Sequence, residues 1–474
     1  MPKILPGNYN LKSIYLISEG GKSIDLFTLF DEINFFESIY SPVVTGYVTV
    51  TEALNLISGK QYGLPIMGNE VILIEIGLPF YKIKDDSSAK WKAPTQQNNP
   101  QDNDIQKSMK FIGRVTDIKN KSLPTDRSQN YEIHFMSEEG VLDRNIRISK
   151  SYKSKTMLEI IENIFNEFNT TSSYEFEKTS NQFDVVIPDW NPFKAISWCA
   201  SRSTSLTYNN NSTFFFYQTL YNDGDTEADR LSYTNSRYST EVSTKFWFLS
   251  LDDMLAYDEK KRIFYRPSNV VLSNQKTNDP DYYMFFSNAK SYEILHSFDT
   301  IKANDYGFFN NKFIYHDITK KEWKEINFNY EDQFDKYQHT ADYKIYSGVK
   351  DRFGKTFTDY SESRSIFNPS GTAESPNRLS QISSSRMNRI ASLNNYKIRI
   401  SLPGDGYLEA GDIIYFELPS PEPNGETKTD EFYEGKYLIT AIRHTFDKSE
   451  YSMSLECAKD ALKKEVRGYT RSNG

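Results

Sequence analysis

The five histidines are the side chains best suited to proton transfer or metal binding near neutral pH, and they are scattered along the chain. They occupy positions 134, 296, 316, 339 and 444. A histidine site needs several such groups close together, as in HExxH, where two histidines share one helix face. The sequence contains no HExxH, GxSxG, GxxxxGKS/T or GxGxxG motif. Each histidine is therefore expected to be a structural residue.

Acidic residues are the next candidates for chemistry. The run 222–227 (NDGDTE) brings several oxygen ligands together, but it lacks the spacing of an EF-hand loop, which predicts an ordinary turn. The pairs Glu138-Glu139 and Glu431 with Glu434 could act as glycosidase carboxylates only at a defined separation, and they lie at predicted turn or strand edges. We predict no catalytic, cofactor-binding or metal-binding residues, and no enzymatic activity.

Cysteine usage, charge and hydropathy exclude further classes of protein. Cys199 and Cys457 lie in a helical and a strand pattern, which predicts two buried thiols. A net charge of −8 over 474 residues provides no basic face for a nucleic acid. No stretch approaches the roughly 20 apolar residues that span a bilayer, and the start lacks a secretory signal. We expect a protein kept in the cytoplasm unless a larger particle carries it out.

The elements that would position these residues are mainly strands. Tyr and Phe are abundant and Ala is scarce, which favours strands and turns over helices. Strand patterns cover residues 11–17, 41–51, 68–76, 111–120 and 131–137. The segment 82–110 is polar and without periodicity, so it is predicted to be a long exposed loop.

Two short helices are predicted after these strands. Residues 156–168 have the apolar spacing of one buried helix face, with Thr156 and Glu159 placed as a capping box. A second helix, near 191–203, begins with Asn191 as cap and Pro192 at the first helical position. It carries the predicted core motif, which consists of Asn191, Pro192, Phe193, Ile196 and Trp198.

The two ends of the chain resemble each other. Residues 67–74 (MGNEVILI) are echoed by 410–417 (AGDIIYFE), the strand 111–118 by 436–443, and the strand 131–136 by 451–456. In both copies a polar loop separates the first strand from a closing hairpin, which predicts an internal repeat. Three copies of a chain with two similar barrels would form a ring with approximate sixfold symmetry.

This arrangement resembles the central baseplate hub proteins of contractile-tailed bacteriophages, such as the hub of the T-even phages. The resemblance lies in residues 35–40 leading into the strand before Thr51, in 188–198 (PDWNPFKAISW) and in the hairpin 433–455, and covers about two thirds of the chain. It implies a mainly β fold with a small α+β insert, in which two similar tube-type antiparallel β-barrels flank inserted domains.

The predicted boundaries follow from the repeat and from shifts in composition. They are a first tube-like β-barrel at 1–143 with the loop 82–110; an α+β insert at 144–243; an aromatic-rich β body at 244–360; a Ser- and Asn-rich linker or arm at 361–392; a second tube-like β-barrel segment at 393–462; and a C-terminal tail at 463–474.

The resemblance also implies a function and a set of partners. It implies a homotrimer in the virion baseplate, assembled in the host cytoplasm, that joins a sixfold tail tube to a threefold central spike around an axial channel. The implied partners are further copies of the chain, the spike, tube or tube-initiator proteins, the tape-measure protein and baseplate wedge proteins, with DNA passing through without specific binding. A carbohydrate-binding tail or fibre protein with exposed aromatic residues at 206–345, and a cell-wall hydrolase, are the alternatives.

Overall fold

The computed structural model describes residues 7–464 apart from internal stretches at 19, 54, 57–62, 65, 79–106, 126–127, 169, 171, 209–210, 221–243, 266–286, 318–320, 346–351, 354–361, 369–375 and 421–428. The predicted loop 82–110 and turn 222–227 lie largely or wholly outside the described residues, although strand structure has begun by Lys107. No helix among the residues that the structure describes is long and apolar enough to cross a membrane.

The strands are β1 (Asn10–Ile17), β2 (Ser23–Asp25), β3 (Phe30–Ser38), β4 (Thr45–Glu52), β5 (Val71–Leu78), β6 (Lys107–Thr125), β7 (Ser128–Ser137), β8 (Ile148–Thr156), β9 (Ser173–Phe176), β10 (Gln182–Trp190), β11 (Phe214–Leu220), β12 (Thr244–Ser250), β13 (Lys261–Phe264), β14 (Ser291–Ser297), β15 (Asn310–Asp317), β16 (Glu322–Asn329), β17 (Glu362–Asn368), β18 (Tyr396–Pro403), β19 (Ile413–Glu417), β20 (Gly435–Asp447) and β21 (Tyr451–Lys459). The α-helices are α1 (Glu138–Asn145), α2 (Met157–Phe165), α3 (Pro192–Ala200), α4 (Leu251–Ala256), α5 (Thr300–Asp305), α6 (Tyr330–Gln333) and α7 (Pro376–Ser392).

The N-terminal β unit is a barrel built from strands in the order β3-β4-β7-β6-β5-β1, with antiparallel neighbours. In β4 every second residue is buried, because successive side chains of a strand point to opposite faces. The first and last strands meet through Leu26, which precedes β3 and donates its N–H to the carbonyl of Ile14 in β1 at 3.0 Å. This contact closes the run of strands.

The C-terminal β unit repeats that order as β14-β18-β21-β20-β19-β13. It closes in the same way, since Ala289, just before β14, donates its N–H to the carbonyl of Phe264 in β13 at 2.9 Å. The pairing of β13 with β19 is parallel, whereas that of β1 with β5 is antiparallel. The predicted fold class, mainly β with two similar barrels, is confirmed, and the strand pairs of both barrels are antiparallel except for β13 with β19.

Individual residues support the duplication. Both units carry a β-bulge at the same place, at Thr116 in β6 and at Thr440 in β20. Each threonine hydroxyl donates to a carbonyl of the next strand, to that of His134 at 3.2 Å and to that of Glu456 at 3.1 Å. The bulge therefore fixes the equivalence of β6 with β20.

The turns that precede β5 and β19 are also equivalent. Asn69 and Gly411 both have positive φ, and each donates its N–H to the paired long strand, to Val115 and Ile439 respectively, at 2.9 Å. These bonds align Asn69 with Gly411, whereas the sequence comparison had matched Gly68 to Gly411. The sequence alignment was thus one residue out of register, because two adjacent positive-φ residues can form the first turn.

The two units form a single continuous sheet. In the described chain, thirteen strands belong to this sheet, and β3 of the N-terminal unit pairs with β20 of the C-terminal unit. One apolar cluster contains core residues of both units, among them Phe35, Phe111, Phe446 and Leu455. Burial of this shared core stabilises the side-by-side arrangement of the barrels.

The insert between the barrels is a small α+β body. It combines the hairpin β8-β10 with the sheet β11-β12-β9, and α2 and α3 pack with them around a second apolar cluster. At the start of α2, the Thr156 side chain accepts from the Glu159 N–H and the Glu159 carboxylate accepts from the Thr156 N–H. The predicted capping box is therefore present.

The structure corrects two of the predicted segments, the body at 244–360 and the linker at 361–392. Strand β12, assigned to the body at 244–360, belongs to the insert, and β13 and β14 belong to the C-terminal barrel. Residues 361–392, predicted to be a linker or arm, contain β17, which pairs with β15, and the 17-residue helix α7. The serine-rich sequence still forms a helix because one face is buried, including Ile382, Asn388 and Arg389.

Candidate assembly interface

The histidines have separate structural surroundings. His134 pairs with Glu132 at 2.9 Å, His444 Nδ1 lies 2.8 Å from the Tyr451 hydroxyl, and His339 contacts a buried carboxylate discussed below. Among the described residues, no group of three or more His, Cys, Asp or Glu side chains is placed to hold a metal ion. Cys199 and Cys457 are free, buried thiols in different apolar clusters.

The acidic pairs considered for glycosidase chemistry are also engaged in structural contacts. Glu138 pairs with Arg114, whereas Glu139 is buried and accepts from Ser172 at 2.6 Å and from Gln218 at 3.2 Å. In the second pair, Glu431 pairs with Lys464, and Glu434 with Lys463 at 2.9 Å. These contacts give each carboxylate a role in holding neighbouring segments together.

The predicted core motif lies on α3 of the insert. Asn191 is at the N-cap position and Pro192 begins the helix, but the Asn191 side chain does not cap it. Instead Asp143, at the end of α1, accepts the Phe193 N–H at 2.7 Å, and Asn191 donates to the Asp143 carbonyl at 2.7 Å. Burial raises the pKa of Asp143, although the Phe193 N–H favours its charged form. The cap thus comes from a different helix, which sequence spacing did not reveal.

The apolar members of the motif differ in burial. Ile196 is 0% exposed and Phe193 is buried, whereas Trp198 is only half-buried, with Arg202 stacked 4.0 Å from its ring centroid. As a fully buried core residue, Trp198 would be expected to cost about 3–5 kcal/mol on replacement with Ala. Because Trp198 lies at the rim of the apolar cluster, we expect the larger loss of stability on replacement with Ala at Ile196.

Replacing Ile196 with Ala should lower the free energy of unfolding by about 2–5 kcal/mol, because a cavity opens in a closed cluster. Trp198→Ala, as the matched variant on the same helix, should cost less. Urea unfolding of both variants measures the difference. A larger loss for Trp198→Ala than for Ile196→Ala would contradict this assignment.

The contact between the two barrels is the junction of functional interest. Residues 32–38 of β3 pair antiparallel with 441–447 of β20, with Phe36 opposite Arg443. The rest of β20 pairs with β19 through residues 435–438. One long strand therefore serves both its own barrel and the neighbouring one.

A polar network covers the solvent side of this junction. Arg443 of β20 donates to Asn34 Oδ1 at 2.8 Å, to Glu32 Oε1 at 3.1 Å and to the Tyr47 hydroxyl at 3.0 Å. Burial raises the pKa of Tyr47, which keeps its hydroxyl neutral. The guanidinium therefore donates hydrogen bonds to three acceptors of the N-terminal barrel at once. These bonds fix the register of β3 against β20.

Lys448 adds a second cation to this side, at 2.9 Å from Asp31 Oδ1. Burial alone would raise the pKa of Asp31, but hydrogen bonds from Thr51 and Lys448 outweigh it and lower that pKa. The carboxylate is thus held in its charged form across the junction.

A buried carboxylate joins three parts of the chain beneath the junction. Glu37 of β3 is 2% exposed and accepts the N–H of Leu220, at the end of β11, at 2.8 Å. It also accepts the N–H of Ala410, just before β19, at 3.2 Å, and lies 3.6 Å from His444 Nε2. Glu37 therefore ties the N-terminal barrel to the insert and to the C-terminal barrel.

The sequence did not single out Glu37, Arg443 or Asp143 as functional residues. A carboxylate at position 37, within the otherwise apolar-rich run 33–39 (INFFESI), was a signal that could have been used. Buried charges are rare unless they are paired, so such a residue indicates a specific partner elsewhere in the chain.

Comparison with known proteins identifies the fold. No protein-family model matches the sequence, and no curated protein is significantly similar to it. The tail protein from Neisseria meningitidis MC58 is similar in structure, with a TM-score of 0.51, 9% identity, and coverage of 96% of this chain and 97% of that one. The 43 kDa tail protein of prophage MuSo2 from Shewanella oneidensis has a TM-score of 0.50 and 9% identity, with coverage of 95% and 100%. The chain thus has the fold of phage-type tail proteins.

Proposed function

We propose that this chain is the structural baseplate hub of a phage contractile tail. In this proposal a homotrimer forms a ring of six similar barrels, adapts a sixfold tail tube to a threefold central spike, and encloses an axial channel. The observation that carries the proposal is the β3-β20 ladder, which already places two similar barrels side by side within one chain. Three chains related by a threefold axis then present six such units.

The proposed partners follow from this position. The tube or tube initiator contacts one face of the ring, the spike the other, and neighbouring wedge proteins contact the inserted bodies. The tape-measure protein and then DNA pass through the channel. A net charge of −8 suits such a passage, since a wall without excess cations does not retain phosphates. The chain would be assembled in the host cytoplasm and then belong to the virion tail.

The test is the mass and symmetry of the purified chain. Native mass spectrometry over a range of concentrations should give a trimer, and class averages from electron microscopy should show a ring of six densities around an open axis. A chain that stays monomeric throughout, alone and when co-expressed with the spike and tube proteins of its own phage, would overturn the proposal.

A further inference from the structure

Two strand edges resemble the two sides of the internal junction but belong to different barrels. In the N-terminal barrel, β6 pairs with β5 only as far as Arg114, and beyond it the described part of the chain places no strand on that edge of β6. In the C-terminal barrel, β14 ends the described sheet, with β18 as its strand neighbour. Unpaired edges of this kind are templates for another strand.

Because the two barrels are equivalent, each of these two strand edges can be matched to one strand of the internal β3-β20 junction. Strand β6 is equivalent to β20, and the bulges at Thr116 and Thr440 set the alignment, so Lys119 corresponds to Arg443. Strand β14 is equivalent to β3, since each pairs with the corresponding strand, β18 or β4. Through these ladders His296 corresponds to Phe36. The edges of β6 and β14 are thus the two halves of a second β3-β20 junction.

The side chains at the two edges are complementary in charge. Lys119 retains the cation of Arg443, and Glu293 takes the position of Asn34, the acceptor of the Arg443 guanidinium. Lys119 and Glu293 now make contacts with Asp117 at 3.9 Å and with Arg399 at 2.8 Å. Because both pairs are exposed, their rearrangement costs little. Ile294, 40% exposed on β14, would be covered by a second strand.

We infer that β14 of one copy pairs antiparallel with the outer part of β6 of the next copy, with His296 opposite Lys119. The strand match is used only as far as His296 and Lys119, because each strand has a bulge next to that residue. In β6 the bulge lies at Asn120, where φ is +53°, and β20 lacks it; in β14 it lies at Leu295, and β3 lacks it. The contact is head-to-tail, so it closes into a ring when the rotation per chain divides a full turn. The inference rests on the proposed ring and adds the strands that join its copies.

The test is a cross-strand disulfide between copies. The variant Lys119→Cys with His296→Cys, oxidised in its native assembly, should give covalent dimers and trimers on non-reducing gels, because directly opposite residues have Cβ atoms about 4.5–5.5 Å apart. The natural thiols do not interfere, since they are buried and burial raises the pKa of Cys199 to about 12 and that of Cys457 well above its ordinary value.

Two matched variants calibrate this result. Phe36→Cys with Arg443→Cys places the same pair in the internal junction and should give a disulfide within one chain. Ile118→Cys with His296→Cys moves one cysteine to the other face of β6 and should give much less cross-linking between copies.

The outcomes separate this inference from the proposed function. A trimer that forms the internal disulfide but gives no Lys119-His296 cross-link would overturn the strand pairing and leave the hub proposal standing. A monomer without cross-links would overturn both. As an independent check, Lys119→Glu should reduce the trimer fraction at low protein concentration, and adding Glu293→Lys should restore it.

Discussion

Replacing Arg389 with Met should lower the free energy of unfolding by about 3–5 kcal/mol, because it removes a buried guanidinium that pairs with two buried carboxylates, Asp460 and Asp252. Arg389 lies in α7 and is 1% exposed. Its Nη1 donates to Asp460 Oδ2 at 2.8 Å, and its Nη2 donates to the Gln338 carbonyl at 2.6 Å and lies 3.6 Å from Asp252. The guanidinium joins α7 to the end of β21, to α4 and to the segment after α6.

Urea unfolding measures this loss. The control is Lys302→Met, which removes a cation from an exposed pair with Asp299 and should leave stability nearly unchanged. Equal effects of the two variants would show that the buried network contributes no more than a surface ion pair.

The same network predicts a dependence on pH. Burial would raise the pKa of Asp460, but His339 and Arg389 outweigh it and hold that pKa well below its usual range. A carboxylate with a lowered pKa stabilises the fold fully above its unfolded pKa of about 3.9, and the contribution is lost as the pH falls toward the folded value.

The difference in unfolding free energy between the natural chain and Asp460→Asn should therefore shrink as the pH falls below about 5. Urea unfolding of both chains at a series of pH values measures it. A difference that instead grows in acid would mean that Asp460 is protonated in the folded protein.

Replacing Glu37 with Ala should cost about 2–5 kcal/mol, because the N–H groups of Leu220 and Ala410 would remain buried without an acceptor. In the proposed trimer the variant should also reduce assembly, since Glu37 ties the N-terminal barrel to the insert and to the C-terminal barrel. Unfolding in urea and native mass spectrometry test the two effects.

The matched control for Glu37→Ala is Glu32→Ala on the same strand. Glu32 pairs with Arg443 at 3.1 Å in a partly exposed position, so its loss should cost about 1 kcal/mol or less. If both variants lost the same stability, the buried carboxylate would not be the main tie between the barrels.

Local sequence signals predicted much of the fold. Alternating burial in β4, the capping box at Thr156 and the repeated turn before β5 and β19 each depend on residues close together in sequence. Periodicity and capping act over a few residues, so a single sequence contains the whole pattern.

Other features depended on partners far along the chain. Strands β13 and β14 looked like parts of an aromatic body, yet they complete the C-terminal barrel with strands that follow more than 90 residues later. The serine content of segment 361–392 is typical of loops, which led to its prediction as a linker. Its helix is buried through contacts such as that of Arg389 with Asp460, which follows β21 and lies 71 residues further along the chain. Strand composition does not specify which neighbour a strand selects.

The sequence by itself determined a mainly β chain with a duplicated barrel and no recognisable catalytic motif. The tertiary structure decided that the two barrels share the strand β20 and that Glu37 and Arg443 secure the contact. It also decided which strand edges resemble this contact but have no strand partner within the described part of the chain. The sequence alone did not determine these pairings because the backbone hydrogen bonds between two strands are alike for any sequence. Pairing is therefore selected by side chains that meet only when the chain has folded.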